Sequence, residues 1–179
     1  MFNLKVDNEI RLELLREDQA GLFFALLDRN RDYLSRWVPW VERVKSSTEA
    51  GELIKGWLQQ YTRNDGLVAG IWYKGELAGI TNLNYIHWQN RCTNIGYWLG
   101  ENYQGRGIVT KACRSLIDYA FREKELHRIE IDPPASNLKS CAIAERLGFR
   151  KEGILRKKWY IEGEYVDGVL YSLLVEEWA

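Results

Sequence analysis

A strand, a glycine-rich turn and a helix follow one another between Asn94 and Phe121, and this order constrains the fold more than any other stretch. Ile95 to Leu99 predicts a strand, and the chain then passes a closely spaced glycine pair, Gly105 and Gly107. Beyond the pair, apolar residues recur with helical spacing at positions 109, 112, 116, 119 and 120. Such spacing gives the helix one apolar face, which must pack against a core.

The turn before this helix has the properties of an anion-binding site. The first N–H groups of a helix have no partners inside the helix, and the helix dipole adds partial positive charge there. Glycine lets the backbone approach a ligand closely or adopt a positive φ, and Arg106 adds a positive charge to the same turn. The stretch is therefore suited to phosphate, although glycines also serve turns that bind nothing.

Two common phosphate motifs do not fit this turn. The Walker A pattern G-x-x-x-x-G-K-[ST] matches Gly100 and Gly105. It then meets Arg106 and Gly107, where a lysine and a hydroxyl residue should contact phosphate and magnesium. The dinucleotide fingerprint G-x-G-x-x-G has Thr110 in place of its third glycine. Neither pattern therefore identifies the ligand.

A third pattern, [QR]-x-x-G-x-[GA], fits residues 104–109 except that Val109 replaces the final small residue. This stretch resembles the pyrophosphate loop of the GNAT N-acetyltransferases. Residues 136–149 carry the N-x-x-S…E-x-x-G-F pattern of the same family. Residues 34–40 read L-x-x-W-x-P-W, which resembles the RimJ/RimL-like branch that acetylates the N-termini of ribosomal proteins. The resemblance spans nearly the whole chain.

Composition and charge exclude several other classes. A length of 179 residues suits one domain, spanning residues 1–179. Lys plus Arg and Asp plus Glu both number 25, which argues against binding nucleic acid or an anionic membrane through the whole surface. No apolar run approaches the ~20 residues that span a bilayer, and the N-terminus lacks the apolar core of a signal peptide.

The cysteines and histidines point to a cytoplasmic protein without a metal. Cys92, Cys113 and Cys141 are odd in number and unevenly spaced, which is typical of reduced thiols in the cytosol. The chain has only two histidines, so a His-rich metal site is excluded. We therefore expect no metal cofactor.

The predicted elements follow the order β, α, α, β, β, β, glycine turn, α, β, α, β, β. Strands at Leu67–Tyr73 and Glu76–Ile86 lead to a strand at Cys92–Leu99. The helix after the glycine turn allows one parallel crossover, to a short strand at Arg128–Asp132. We predict an α/β (α+β) GNAT-like fold, with a mixed, mostly antiparallel sheet of six to seven strands flanked by helices.

The resemblance implies where acetyl-CoA binds. In the GNAT family the co-substrate lies where the fourth and fifth strands splay apart, here Ile95–Leu99 and Arg128–Asp132. Backbone groups of Trp98 and Leu99 would pair with the pantetheine and the thioester carbonyl. The pyrophosphate would accept hydrogen bonds from the backbone N–H groups of Gln104, Gly105, Arg106, Gly107, Ile108, Val109 and Thr110.

Polar residues near this opening are candidates for the chemistry. Asn137 matches the asparagine that the family uses to bond the pantetheine amide, and it equally fits a helix N-cap. The resemblance implies that Ser140 occupies the place where many family members carry a tyrosine acid and this branch a serine. A hydroxyl there would protonate or hydrogen-bond the departing CoA thiolate, and Ser140 also fits a helix serine that bonds backbone. Glu101 is a candidate base. Glu130 and Asp132, which alternation places on one face, are further candidates, and all three also fit structural carboxylates.

The acceptor is the part of the function that the sequence leaves open. Trp37 and Trp40 flank a proline in a connecting segment and are candidates for the wall of an acceptor pocket, whereas Trp57 is expected in the core. The resemblance implies direct acetyl transfer, in a ternary complex, to the N-terminal amine of a protein or peptide. A small amine such as a polyamine or an antibiotic is the alternative acceptor. A CoA-binding module without turnover is a third hypothesis.

The last predicted hairpin, around Glu162 to Glu164, bears on assembly. Its outer strand offers an unpaired sheet edge. A homodimer or another homo-oligomer is therefore an expectation from the sequence.

Overall fold

The computed structural model describes residues 2–178 and contains one eight-stranded sheet, with the order β1-β2-β3-β4-β5-β6-β8-β7. The strands are β1 (Asn3–Lys5), β2 (Ile10–Leu14), β3 (Leu67–Tyr73), β4 (Glu76–Leu83), β5 (Cys92–Leu99), β6 (Arg128–Ile131), β7 (Arg150–Ile161) and β8 (Glu164–Leu174). The helices are α1 (Ala20–Arg29), α2 (Arg31–Leu34), α3 (Ser47–Thr62), α4 (Ile108–Arg122) and α5 (Leu138–Arg146). All neighbouring strands are antiparallel except β5 and β6.

Helices α1 and α3 cover one face of the sheet. Phe23 and Leu26 of α1 and Ile54 of α3 are buried with Trp72 and Trp98 from the strands. Helix α3 begins where Ser46 caps it, because the Ser46 side chain accepts a hydrogen bond from the N–H of Glu49. Burial of these large apolar groups holds the helices against β3, β4 and β5.

Helices α4 and α5 cover the opposite face. Leu116 of α4 and Ala144 of α5 are buried with Ile95 and Ile129 from the central strands. Of the apolar stripe that the sequence predicts for α4, Ala112, Leu116 and Ala120 are buried, and Val109 and Tyr119 are half-buried. The buried face is wider than predicted, because it also includes Ile108, Cys113, Ile117 and Phe121. Ile95 and Trp98 belong to different clusters because alternate residues of a strand point to opposite faces.

The parallel strands β5 and β6 separate soon after they meet. Residues Cys92–Asn94 pair with Arg128–Glu130. Within the described chain, the rest of β5 pairs only with β4, from Leu83 opposite Ile95 to Gly79 opposite Leu99. The sheet therefore opens between β5 and β6, as the resemblance implied.

The strand count is higher than predicted. The extra strand is β1, which pairs with β2 although its three residues carry no alternation long enough to detect. Strand β7 is one long strand, interrupted by shifts of register against β8. The pairing of strands that are distant in sequence thus defines elements that the local pattern of apolar residues does not show.

Other sequence expectations concern membranes, metals and thiols. Every helix within residues 2–178 is too short or too polar to span a membrane. In the same range, no group of three or more His, Cys, Asp or Glu is arranged to hold a metal ion. Cys92, Cys113 and Cys141 are free thiols. Cys113 lies in the core, where burial raises its pKa to about 12.

Candidate active site

Two glycines shape the turn that leads into α4. Gly105 has a φ of 76° and Gly107 a φ of 72°, a region that residues with a Cβ rarely adopt. A Cβ added at either glycine would meet no atom of residues 2–178 within 4 Å. Backbone conformation, not crowding, therefore requires glycine, and the space beside the turn is open. Gly107 is the N-cap of α4, so this space faces the first turn of a helix, where an anion is stabilised.

Cationic side chains approach the turn from two elements. Arg106 belongs to the turn and is exposed. From α5, the Nζ of Lys139 donates to the Oε1 of Gln104 at 3.0 Å, and the Nη1 of Arg146 donates to the Oγ1 of Thr110 at 3.2 Å. The N–H of Gln104 already donates to the Glu101 carbonyl oxygen at 3.2 Å. The other predicted donors belong to the turn and the start of α4, where these cationic side chains approach, so the residues present fit a pyrophosphate.

Val109 departs from the family pattern at the last position of the turn. Its side chain is half-buried and packs against the core cluster under α4. The branched side chain therefore points into the protein, and its size is no obstacle to a phosphate at the backbone.

Trp98 and Leu99 end β5 on the open side of the sheet. Both are buried. Leu99 lies opposite Gly79 of β4, and a Cβ added to Gly79 would lie only 2.2 Å from the Trp98 carbonyl oxygen. Glycine at position 79 is therefore required for β4 to lie this close to the backbone of Trp98 and Leu99.

Ser140 lies in the first turn of α5 and contacts β5 through Tyr97. The phenol oxygen of Tyr97 is 3.0 Å from the Ser140 hydroxyl and donates to the Ser140 carbonyl at 3.1 Å. Burial raises the pKa of Tyr97 well above its ordinary value, so the phenol stays protonated. The pair links α5 to β5 beside the opening.

Asn137 caps α5. Its Oδ1 accepts a hydrogen bond from the N–H of Ser140 at 3.2 Å. The structure therefore confirms that Asn137 is the N-cap of α5. The cap uses Oδ1 only, so the side-chain amide NH₂ can still donate, and a role at the pantetheine stays a prediction.

Glu101 lies in a 3₁₀ turn just after β5, against the end of α1. Its backbone N–H donates to the Oδ1 of Asn30 at 2.9 Å, and the residue is exposed. This position is at the glycine-turn end of β5. A role for Glu101 as the base stays a prediction.

The two acidic residues that the sequence placed on one face of β6 both have partners. Glu130 accepts a hydrogen bond from the Nε of Arg128 at 2.8 Å. Asp132 accepts from the Nδ2 of Asn94 and forms an ion pair with Lys158. Asp132 stands just beyond the point where β5 and β6 separate.

The aromatic candidates lie on the side of the sheet covered by α1 and α3. Trp37 is half-buried, and the guanidinium of Arg36 lies 5.0 Å from its ring centroid. Arg36 also pairs with Glu162 at 3.7 Å, which connects this segment to the β7–β8 hairpin. Trp40 and Trp57 form an edge-to-face pair at 6.1 Å beside the core. That Trp37 and Trp40 line an acceptor pocket stays a prediction.

Sequence reasoning missed a chain of amides that crosses the sheet to Asp132. The Nδ2 of Asn82 donates to Asn84, whose own Nδ2 donates to the Oδ1 of Asn94 at 2.8 Å. The N-x-N spacing of Asn82 and Asn84 was the available signal, because it puts both side chains on one face. The approach of Lys158 had no comparable signal, since it joins distant segments.

Residues 9–150 match the family described as the acetyltransferase (GNAT) domain. The chain belongs to the GNAT acetyltransferase family. One relative of this GNAT chain is from Bacillus subtilis (strain 168) and is provisionally named ribosomal N-acetyltransferase YdaF. It is 40% identical over 179 residues, covering 99% of this chain and 98% of the relative.

Solved structures give the same assignment. RimL, the ribosomal L7/L12 alpha-N-protein acetyltransferase in complex with coenzyme A, superposes with a TM-score of 0.95 at 26% identity, covering 98% of this chain and 99% of RimL. MccE, the microcin C7 self-immunity acetyltransferase in complex with acetyl-CoA and AMP, gives 0.91 at 32% identity, covering 95% and 94%. This GNAT chain is thus an N-acetyltransferase of the RimL-like group.

Proposed function

We propose that this protein transfers the acetyl group of acetyl-CoA to the N-terminal amine of a protein or peptide, as a single cytoplasmic domain spanning residues 1–179. The observation that carries the proposal is the opening between β5 and β6, which begins beyond Asn94 and lies next to the glycine turn at the start of α4. An opening in a sheet exposes strand backbone that can bind an extended pantetheine chain. The adjoining turn suits the pyrophosphate at one end of that chain.

Different residues bind successive parts of acetyl-CoA. The backbone of residues 104–110 holds the pyrophosphate, and the backbone of Trp98 and Leu99 binds the pantetheine and polarises the thioester carbonyl. Asn137 donates to the pantetheine. A proton leaves the ammonium form of the acceptor, with Glu101 as the candidate base, and the neutral nitrogen then attacks the carbonyl carbon. The C–N bond forms and the C–S bond breaks with its electron pair leaving on sulfur. The second proton lost by nitrogen passes through water to the thiolate, which gives the amide and the free CoA thiol. The Ser140 hydroxyl donates to that thiolate.

Charge around the opening favours a single terminal amine over a polyamine. A polyamine site needs several unpaired carboxylates, because each ammonium group must be compensated when it is desolvated. Here Glu162 pairs with Arg36. Asp132 pairs with Lys158, so it can accept one ammonium group by exchange of one cation for another. A peptide N-terminus needs only one such partner, and Trp37 and Trp40 supply apolar surface for the residues that follow it.

The test is acceptor-dependent release of CoA thiol from acetyl-CoA. The panel holds peptides with free N-termini copied from ribosomal proteins, the same peptides with blocked N-termini, and spermidine. We expect release only with the free N-termini. Release with spermidine alone would establish the small-amine alternative. Binding of acetyl-CoA with no acceptor-dependent release would make the protein a CoA-binding module.

A further inference from the structure

An amino group of the protein itself lies at the opening of the sheet. The Nζ of Lys158 contacts the Oδ2 of Asp132. Asp132 directly follows β6, and the last pair between β5 and β6 joins Asn94 to Glu130. The ion pair is therefore just beyond the point of separation, on the sheet face opposite α4 and α5.

Asp132 is a largely buried carboxylate in a fixed orientation. Its side chain is 12% exposed. The Nδ2 of Asn94 donates to Oδ1, and the indole N–H of Trp159 donates to the Asp132 carbonyl oxygen at 2.9 Å. One oxygen is thus bound by the sheet and the other by Lys158. A carboxylate this buried requires a cationic partner at Oδ2.

Lys158 reaches Asp132 because β7 is distorted beside it. The register against β8 shifts between Leu155 and Trp159, so that residues 156–158 of β7 lie opposite the single residue Asp167 of β8. Lys157 has a φ of 53°, a strained value for a residue with a side chain. The Lys157 N–H donates to the Oδ1 of Asp167 at 2.9 Å, which holds this conformation. Bulges of this kind redirect side chains beside functional sites.

The Lys158 side chain is held much less firmly than its partner. It is 40% exposed, against 12% for Asp132. Its Nζ also lies 5.6 Å from the centroid of the Trp159 ring. The ammonium group can therefore leave the carboxylate for solvent while staying near an aromatic face that stabilises a cation.

We propose that the Asp132 carboxylate is the binding site for the ammonium form of the acceptor amine, and that Lys158 occupies this site until the acceptor displaces it. The proposal rests on the amine-acetyltransferase function proposed above. Exchange of one ammonium for another keeps the buried carboxylate paired, so displacement avoids the cost of an isolated buried charge. The ligand class is a primary ammonium with N–H donors.

Kinetics with an active acceptor peptide test the displacement. If Lys158 holds the carboxylate about nine times in ten, Lys158→Ala lowers the acceptor KM about tenfold. Asp132→Asn raises that KM. Lys124→Ala is the matched control, because the Nζ of Lys124 donates to the Oδ1 of Asn64 at 2.5 Å and lies 5.7 Å from the centroid of the Tyr119 ring. Lys124 follows the C-terminal end of α4, whereas the glycine turn is at its N-terminal end. An acceptor KM that stays the same or rises in Lys158→Ala overturns the proposal.

Thermal unfolding tests the same site without turnover. Removal of Lys158 leaves Asp132 unpaired, so methylammonium chloride should raise the Tm of Lys158→Ala above that measured in equal tetramethylammonium chloride, which has no N–H donor. Lys124→Ala should respond equally to both salts. An equal response in Lys158→Ala overturns the ammonium site, whereas failure of every acceptor in the thiol assay overturns only the proposed function.

An NMR titration of the wild-type protein tests the ammonium site without a variant. The indole N–H of Trp159 bonds to the Asp132 backbone, so its NMR signal reports on the site. Methylammonium should shift this signal in a saturable manner, and tetramethylammonium should not. Identical titrations with the two cations would contradict the proposal even if Lys158→Ala does not fold.

Discussion

The Tyr97 phenol on β5 lies 3.0 Å from the hydroxyl of Ser140 on α5. Because Tyr97 also donates to the Ser140 carbonyl, its oxygen lone pairs are available to the Ser140 hydroxyl proton. The raised pKa of Tyr97 keeps this donor neutral at physiological pH. Before reaction the single hydroxyl proton of Ser140 is therefore bonded to Tyr97, and in the step that we propose it turns from Tyr97 to the leaving thiolate.

Ser140→Ala should lower kcat while leaving the KM for acetyl-CoA nearly unchanged. A positioned acid gives about 10²-fold or more in many enzymes, and a thiolate leaves easily, so we expect a loss of about 10- to 100-fold. Steady-state thiol release measures both constants. An unchanged kcat would show that Ser140 only bonds backbone.

Tyr97→Phe should reduce kcat less than Ser140→Ala, because Ser140 keeps its hydroxyl and loses only its orientation. The double variant should resemble Ser140→Ala, since residues acting as one unit are not additive. The four kcat values of this cycle are the measurement. Additive losses would mean that Tyr97 acts independently of Ser140.

Gly107→Glu should weaken acetyl-CoA binding by about tenfold or more, because it places a carboxylate beside the proposed pyrophosphate site. Gly163→Glu is the control, since Gly163 also has a positive φ, of 86°, but lies at the tip of the β7–β8 hairpin. Both changes should cost about 1–2 kcal/mol of stability through backbone strain. Calorimetric titration that finds wild-type affinity for Gly107→Glu would refute the assignment of the turn.

Gly79→Ala should destabilise the edge of the opening. An added Cβ would lie 2.2 Å from the Trp98 carbonyl oxygen and 2.8 Å from the Leu99 Cα, so backbone must move. We expect the free energy of unfolding to fall by about 1–3 kcal/mol in urea titrations. Gly56→Ala, in open space on α3, should instead raise it by up to about 1 kcal/mol. Loss of stability in both variants would contradict the steric account.

Glu152 should make stability depend on acid pH. Its carboxylate accepts two hydrogen bonds of 2.8 Å from Arg128 and one of 2.6 Å from Ser172, which lower its pKa to about 2. A lowered folded-state pKa stabilises the fold above the ordinary value, near 4.5, and this contribution disappears as pH falls towards 2.

Unfolding free energies in urea at pH 7 and near pH 2 therefore test the Glu152 site. Glu152→Gln should be less stable than wild type at pH 7 and nearly equal to it near pH 2. Ser172→Ala should show a smaller difference of the same sign at pH 7. A Glu152→Gln deficit that is constant across this range would rule out the pKa shift as its cause.

Local pattern predicted the parts of the site that belong to one continuous stretch. The glycine turn and the buried stripe of α4 both follow from residues within a few positions of each other, because backbone conformation and helical periodicity are local properties. The N-cap role of Asn137 is equally local. Strand β1 was not predicted, because three residues are too few to show the alternation of apolar and polar residues that marks a strand. Only its pairing with β2 defines it.

Tertiary structure alone decided which polar groups meet at the opening. Tyr97 and Ser140 are 43 positions apart, Asn94 and Asp132 are 38 apart, and Asp132 and Lys158 are 26 apart. Such contacts depend on how far β5 and β6 stay paired and on the register shift in β7, and neither is encoded by spacing in one segment. The sequence by itself determined the fold family and the turn that suits the donor. Only the folded chain brought a buried carboxylate and an amino group together just beyond the point where β5 and β6 separate.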